Sequence, residues 1–266
     1  MDLGLRDRVY LVTGGSRGLG FAAAQALVAE GARVLLSAPH QATEASAAAR
    51  LTQGATAGAA GWAVADNADP AAPGQLITAA QDRFGRLDGA LISVGGSPAG
   101  TVAATADDAW RSAFESVFLG AIRLARAVAA SLAGARDSAS LSGTGGSIAF
   151  VLAASVRAPL PGLAISNGLF PGLAGVVKTL AGEHGPSGIR INGLLPVRVA
   201  TDRVRQLDAL LGDPDDVRAR LSQDIPLRRY GEPAEFGQAA AFVLSPAASY
   251  ITGAMIPIDG GAIRSI

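Results

Sequence analysis

A chain that runs from Val9-Tyr10-Leu11-Val12 through Thr13-Gly14-Gly15-Ser16-Arg17-Gly18-Leu19-Gly20 into Phe21-Ala22-Ala23-Ala24-Gln25-Ala26-Leu27-Val28 has few ways to fold. The apolar run reads as a strand and the alanine-rich segment as a helix, so the glycines fill a strand-to-helix turn. Glycines let a backbone turn tightly and approach a ligand closely. The free N–H groups and dipole at the start of the helix favour negative charge. Strand, glycine-rich turn and helix in this order form the arrangement that holds a pyrophosphate, although the same glycines also serve the folding of the first strand–helix unit.

The rest of the chain repeats the alternation. Apolar runs predict strands at 9–12, 32–37, 61–65, 90–94, 147–152, 190–195 and 255–258, with helices predicted at 19–29, 42–52, 73–84, 107–132, 163–183 and 233–244. Strands apolar on both faces and separated by helices predict an α/β fold: a Rossmann-like doubly wound parallel sheet of about seven strands with helices on both faces. Thr105 or Asp107 is expected to cap the helix from 107, and Pro73 and Pro233 to sit in the first turns of theirs. The glycine- and alanine-rich tracts 54–61 and 134–146 read as loops or helix ends, not linkers, so residues 1–266 are expected to form a single domain. Within it, the polar stretch inside 200–226 is a candidate substrate lid.

Composition excludes several functions. Lys+Arg and Asp+Glu are both 22, which leaves no electrostatic footprint for nucleic acid or an anionic membrane. With no cysteine and two histidines, His40 and His184, neither a thiolate nucleophile nor a histidine-rich metal site is expected. The N-terminus has no apolar signal core, and no run is expected to approach the ~18 apolar residues of a membrane span. A cytoplasmic protein is the default expectation.

The stretch 13–20 resembles the glycine signature TGxxxGxG of the short-chain dehydrogenase/reductase family, and the resemblance continues along nearly the whole chain. Asp66-Asn67 follows the third strand, where that family places an Asp against adenine. Ile189-Arg190-Ile191-Asn192, then Pro196 and Thr201, match its next motif, and Phe242-Val243-Leu244-Ser245, Ile251-Thr252-Gly253 and Ile258-Asp259-Gly260-Gly261 match its C-terminal pattern. The resemblance implies NAD(H) or NADP(H) lying along the strand ends, held by Gly14, Ser16, Arg17, Gly18, Leu19, Gly20, Asp66, Asn67, Gly95, Pro196 and Thr201. Ala38 and Pro39 stand where the family carries an Asp for NAD or an Arg for NADP, so preference is unspecified, with Arg17 and His40 as candidates for a 2′-phosphate. No metal is implied.

The same resemblance makes the chemistry unusual. The family reaction uses Asn, Ser, Tyr and Lys, with Tyr as general acid/base, Lys lowering its pKa, Ser on the substrate oxygen and Asn holding a relay water. Those positions correspond here to Val117, Ala153, Ser166 and Phe170. The tyrosines are Tyr10, Tyr230 and Tyr250 and the one lysine is Lys178, so no register restores Tyr-x-x-x-Lys. Ser155 is a weak substitute for the missing serine. Asn167 stands beside Ser166, and Arg157 and Arg198 are candidates to hold an anionic ligand at the cleft.

Three functions follow as expectations. One is a pseudoenzyme that keeps the dinucleotide cleft, binds a small molecule and assembles as a homo-oligomer or with an active relative. Another is an oxidoreductase, or a non-redox enzyme for dehydration, cyclisation or isomerisation, with altered catalytic residues. The last is a scaffold that binds no nucleotide.

Overall fold

The computed structural model describes residues 1–39, 41–53, 58–135 and 145–265. His40, most of tract 134–146 and residues 54–57 of the other glycine-rich tract lie outside them. In chain order the elements are β1 (Val9–Thr13), α1 (Gly18–Ala29), β2 (Arg33–Ala38), α2 (Gln41–Thr52), β3 (Ala60–Val64), α3 (Ala72–Phe84), β4 (Gly89–Ile92), α4 (Asp107–Ala113), a π-helical segment (Phe114–Leu119), α5 (Gly120–Gly134), β5 (Ser147–Val151), α6 (Ala164–His184), β6 (Arg190–Pro196), α7 (Asp202–Ala209), α8 (Pro214–Ser222), α9 (Pro233–Leu244) and β7 (Met255–Ile258).

The seven strands form one sheet in the order β3-β2-β1-β4-β5-β6-β7, every adjacent pair parallel. Alternate residues of each strand face opposite layers. Val9 and Leu11 join Leu76, Leu124, Leu173 and their neighbours under α3, α5 and α6, whereas Tyr10 and Val12 join Leu27, Leu51 and Phe236 under α1, α2 and α9. Burial on both faces holds for the inner strands. At the edges it fails: Trp62 and Val64 of β3 are exposed at 38% and 46%, because an edge strand has fewer elements to cover it. The sheet order reverses between β1 and β4, and the crevice at their C-terminal ends is where such sheets bind ligands.

The helix predicted over 107–132 is a run of three segments, with a π-helical turn set between α4 and α5. Such one-turn insertions concentrate at functional sites, and nothing in a hydrophobic pattern announces them. Neither expected cap forms. Ala106 occupies the cap position without a side-chain bond, and the Thr105 hydroxyl donates instead to the Thr101 carbonyl at 2.7 Å. Asp107 and Asp108 still lie at the positive helix end, paired with Arg111. Pro73 and Pro233 do occupy the first turns of α3 and α9. The span Asp107–Gly134 also corrects the membrane expectation, since by length and composition alone it is apolar enough to cross a bilayer. In this fold it packs against α3, β4 and α6, which accounts for much of its apolar character.

Arg190, 7% exposed, fastens the far end of the sheet. Its guanidinium donates to the carbonyls of Val243 (2.8 Å), Ile251 (3.3 Å), Leu244 (3.3 Å) and Ser245 (2.8 Å). Burial lowers its pKa from the usual arginine value. Asn192 adds bonds to the Ile251 carbonyl and the Ala254 N–H, so β6 carries the clamp that sets β7. Arg190→Met leaves carbonyls in this buried corner without donors, and we expect the unfolding free energy to fall by about 3 kcal/mol in urea titration.

Candidate functional site

The glycine turn is built around close approaches. The Gly14 N–H donates to the Ser37 carbonyl at 2.7 Å, and Thr13 exchanges two hydrogen bonds with Ser93, at 3.0 and 2.9 Å. The ends of β1, β2 and β4 are thereby joined at one point. Gly14 and Gly18 take left-handed φ values of 60° and 57°, which a side chain would strain. At Gly20 a Cβ would stand 2.3 Å from the Gly14 carbonyl oxygen, so the helix meets the turn with no room for one. No side chain caps α1; Arg17 at its cap position is extended, and the first helical N–H groups face the turn without a capping group. This cradle of small residues and free donors fits a pyrophosphate.

The other expected binding residues are distributed as follows. Thr201 caps α7 by accepting from the Val204 N–H at 3.3 Å, and its methyl faces Gly18, 3.7 Å from where a Cβ would be. Gly95, at φ 79°, is exposed after β4, and Pro196 closes β6. Ser16 and Leu19 are half-buried in the turn; Arg17 is exposed and has no ion pair among the described residues. The Asp66 carboxylate is exposed after β3 and accepts from the Ala68 N–H at 2.9 Å. The Asn67 carbonyl lies against α5, 2.3 Å from where a Cβ on Gly120 would be. Gly14, Gly18, Thr201 and the end of β4 thus come together, while Asp66 and Asn67 stand at the β3 end. Ala38 and Pro39 offer no polar side chain between them.

The four residues expected at the acid/base positions lie in or against the core. Val117 is buried in the π-helical segment, and Phe170 is 6% exposed on α6; both join the apolar cluster that Ala153 packs against. Ser166 lies one turn before Phe170 on α6 and is 7% exposed. Its hydroxyl makes no hydrogen bond among the described residues. Ser155 is brought next to it, but the Ser155 hydroxyl donates to the Ser166 carbonyl at 3.4 Å, a long structural bond. Asn167 pins the Leu160 backbone in both directions, at 2.9 and 2.8 Å. Three other candidates are engaged elsewhere or open to solvent: the Tyr10 hydroxyl donates to the Leu244 carbonyl, Tyr250 is exposed, and Lys178 reaches the Gly253 carbonyl.

Arg198 is not free for an anionic ligand. It holds a left-handed φ of 50° and is ion-paired to the buried Asp208, whose other oxygen accepts from the Tyr230 hydroxyl at 3.1 Å. Burial is the main cause of the raised Tyr230 pKa. This group ties α7 to the loop after β6 and to the segment before α9. Arg157 is exposed, with no ion pair among the described residues. A cavity of about 350 Å³ opens beside Gly18 and Thr201, between α1, α7 and α8, but its lining includes none of Ser93, Ser155 and Ser166. The cavity shares Gly18 and Thr201 with the expected binding residues but does not extend to the β4 end or to the serines of α6 and its preceding loop. Among the described residues, no three His, Asp or Glu side chains group as metal binding needs.

One residue bridging α7 to the loop after β4 is not marked by the sequence. Arg203, in the first turn of α7, donates to the Ser97 carbonyl at 2.6 Å and lies flat on Gly96. Its sole signal was a place two residues past Thr201.

Comparison with known proteins agrees with this geometry. The profile of a family described as enoyl-(acyl carrier protein) reductase matches residues 14–262. Levodione reductase of Leifsonia aquatica is 35% identical over 267 residues, 96% of this chain and 94% of that protein. A crystal structure of levodione reductase superposes with a TM-score of 0.90 at 27% identity, covering 98% of this chain and 99% of that one. L-Sorbose reductase from Gluconobacter frateurii, solved with NADPH and L-sorbose, gives 0.90 at 25% identity with both chains fully covered.

Proposed function

This chain belongs to the short-chain dehydrogenase/reductase family, and from that premise we propose that it binds a nicotinamide dinucleotide and acts as an oxidoreductase on a small carbonyl or alcohol without a protein general acid. The observation that carries this reading is the cradle at Gly14–Gly20 set beside a wall of Val117, Ala153, Ser166 and Phe170. When bound, the dinucleotide supplies or accepts a hydride. Gly14, Ser16, Arg17, Gly18, Leu19 and Gly20 hold its pyrophosphate with backbone N–H groups and one cation, Thr201 closes over them, and Asp66, Asn67, Gly95 and Pro196 line the groove. Ser166 is the one hydrogen-bonding side chain left among the four positions, and its hydroxyl orients the substrate oxygen. A serine hydroxyl does not ionise near neutral pH without an activating base, so the proton comes from water or from the substrate. Residues 200–226 form a lid, held by Asp208.

Support for catalysis comes from relatives named as reductases, among them levodione and L-sorbose reductase. A second reading, a pseudoenzyme that binds ligand and supports an active relative, is favoured by the continuity of the tetrad positions with the apolar core. In either reading the half-covered helix Asp107–Gly134, with Phe114 41% exposed, supplies an oligomer interface. NADH and NADPH consumption against a panel of carbonyl compounds tests the enzyme reading. Slow turnover is expected, reduced about tenfold by Ser166→Ala and unchanged by Ser155→Ala. No turnover with any compound favours the pseudoenzyme, and equal rates for all three proteins remove the role given to Ser166.

A further inference from the structure

The loop after β4 holds an unfinished polar site. Ser97 is 3% exposed, and its hydroxyl, closed off from solvent, has no hydrogen-bond partner. A buried hydroxyl without a partner is disfavoured unless something arrives to satisfy it. The Ser97 carbonyl already accepts from Arg203 Nη2 at 2.6 Å. Arg203 is half-buried and has no carboxylate partner among the described residues, unlike Arg198 with Asp208 and Arg205 with Asp215. A Cβ at residue 96 would stand 2.6 Å from Arg203 Nε, so glycine there is what lets the guanidinium lie against the loop. One backbone carbonyl uses one of the five N–H groups of this cation.

The same loop is tied to the helix that carries Ser166. The Gly100 N–H donates to the Gly162 carbonyl at 2.7 Å, and the Ala164 N–H donates to the Gly100 carbonyl at 3.1 Å. Arg203 therefore reaches from the Thr201 side of the groove, where Gly18 marks the pyrophosphate cradle, to the wall that continues into Ser166. A guanidinium held on the backbone carbonyl of a residue whose own hydroxyl is unpaired offers the donors from which a carboxylate recognition pair is built.

Resting on the reading of this cleft as a substrate site, we propose that Arg203 and Ser97 bind the acid group of the substrate, which is then an oxo acid or the corresponding hydroxy acid. In the ligand-free chain Arg203 bridges α7 to the β4 loop through the Ser97 carbonyl. On binding, the carboxylate takes the remaining guanidinium donors and the Ser97 hydroxyl, and the substrate carbonyl faces Ser166.

The test is calorimetry with a panel of 2-oxo and 3-oxo acids, each against its methyl ester, on the wild-type protein, Arg203→Met and Arg203→Lys, with and without dinucleotide. At least one acid is expected to bind about tenfold or more tightly than its ester. Arg203→Met is expected to erase that gap while leaving ester and dinucleotide affinities unchanged, and Arg203→Lys to restore part of it. Equal affinity of acid and ester in the wild type, including no binding of either across the panel, overturns the proposal. So does a gap that survives in Arg203→Met, or a loss of dinucleotide affinity as large as the loss of acid affinity, which assigns the charge to the pyrophosphate. Dinucleotide titrations on the wild type fail separately if the cleft reading is wrong, and the acid–ester comparison without dinucleotide still reads Arg203. Should Arg203→Met not fold, the wild-type and Arg203→Lys titrations decide.

Discussion

Gly20→Ala is expected to weaken dinucleotide binding by about 100-fold or more. The added Cβ would lie 2.3 Å from the Gly14 carbonyl oxygen and 2.9 Å from its carbon, and neither is the movable end of a side chain. Backbone must shift instead. Gly14 is bonded to Ser37 and crowded by Ser93, so the strain goes to the junction of β1, β2 and β4. Overpacking of this kind typically costs 1–3 kcal/mol, and here it falls on the N–H groups that face the pyrophosphate. Titration calorimetry of the variant measures the loss, and the melting temperature separates it from general unfolding. A folded variant with wild-type affinity would show that the turn serves folding alone.

Introducing the family's four residues at the proposed positions is expected to have the opposite effect. The combined variant Val117→Asn, Ala153→Ser, Ser166→Tyr and Phe170→Lys is expected to raise dinucleotide-dependent carbonyl reduction by about 10²–10⁴-fold. That is the range a positioned proton donor contributes. Ser166 and Phe170 lie one turn apart on the same face of α6, so the tyrosine and lysine would meet across it. Phe170 is 6% exposed and packed in the core, so its replacement costs stability, by about 2–4 kcal/mol. Activity is therefore to be compared at a temperature where both proteins are folded. An unchanged rate in a folded variant would mean that the cleft does not deliver a carbonyl to this wall.

Much of this was legible in the residues. Seven apolar runs gave the seven strands within one or two positions, because inner parallel strands must be apolar on both faces. Thr13–Gly20 declared its turn because only glycine fits at Gly20. Side-chain partnerships across the fold were not legible. Arg190 stood in a recognisable strand motif, but the four carbonyls it holds lie more than fifty residues away. Arg198 read as a free cation at the cleft and is instead consumed by the buried Asp208. Arg203 carried no reading of its own in the sequence; its close approach to Gly96 and its bond to the Ser97 carbonyl mark it only in the fold. The π-helical turn around Val117 was hidden for a different reason: one extra residue in a helix changes no composition.

The proposed function requires a groove that takes a dinucleotide beside a wall without a general acid. Calorimetric titration of the wild-type protein with NAD⁺, NADH, NADP⁺ and NADPH tests it most directly. The prediction is a dissociation constant of about 1–100 μM for at least one of the four, lost in Gly20→Ala. No binding heat for any of them at millimolar concentration would contradict it.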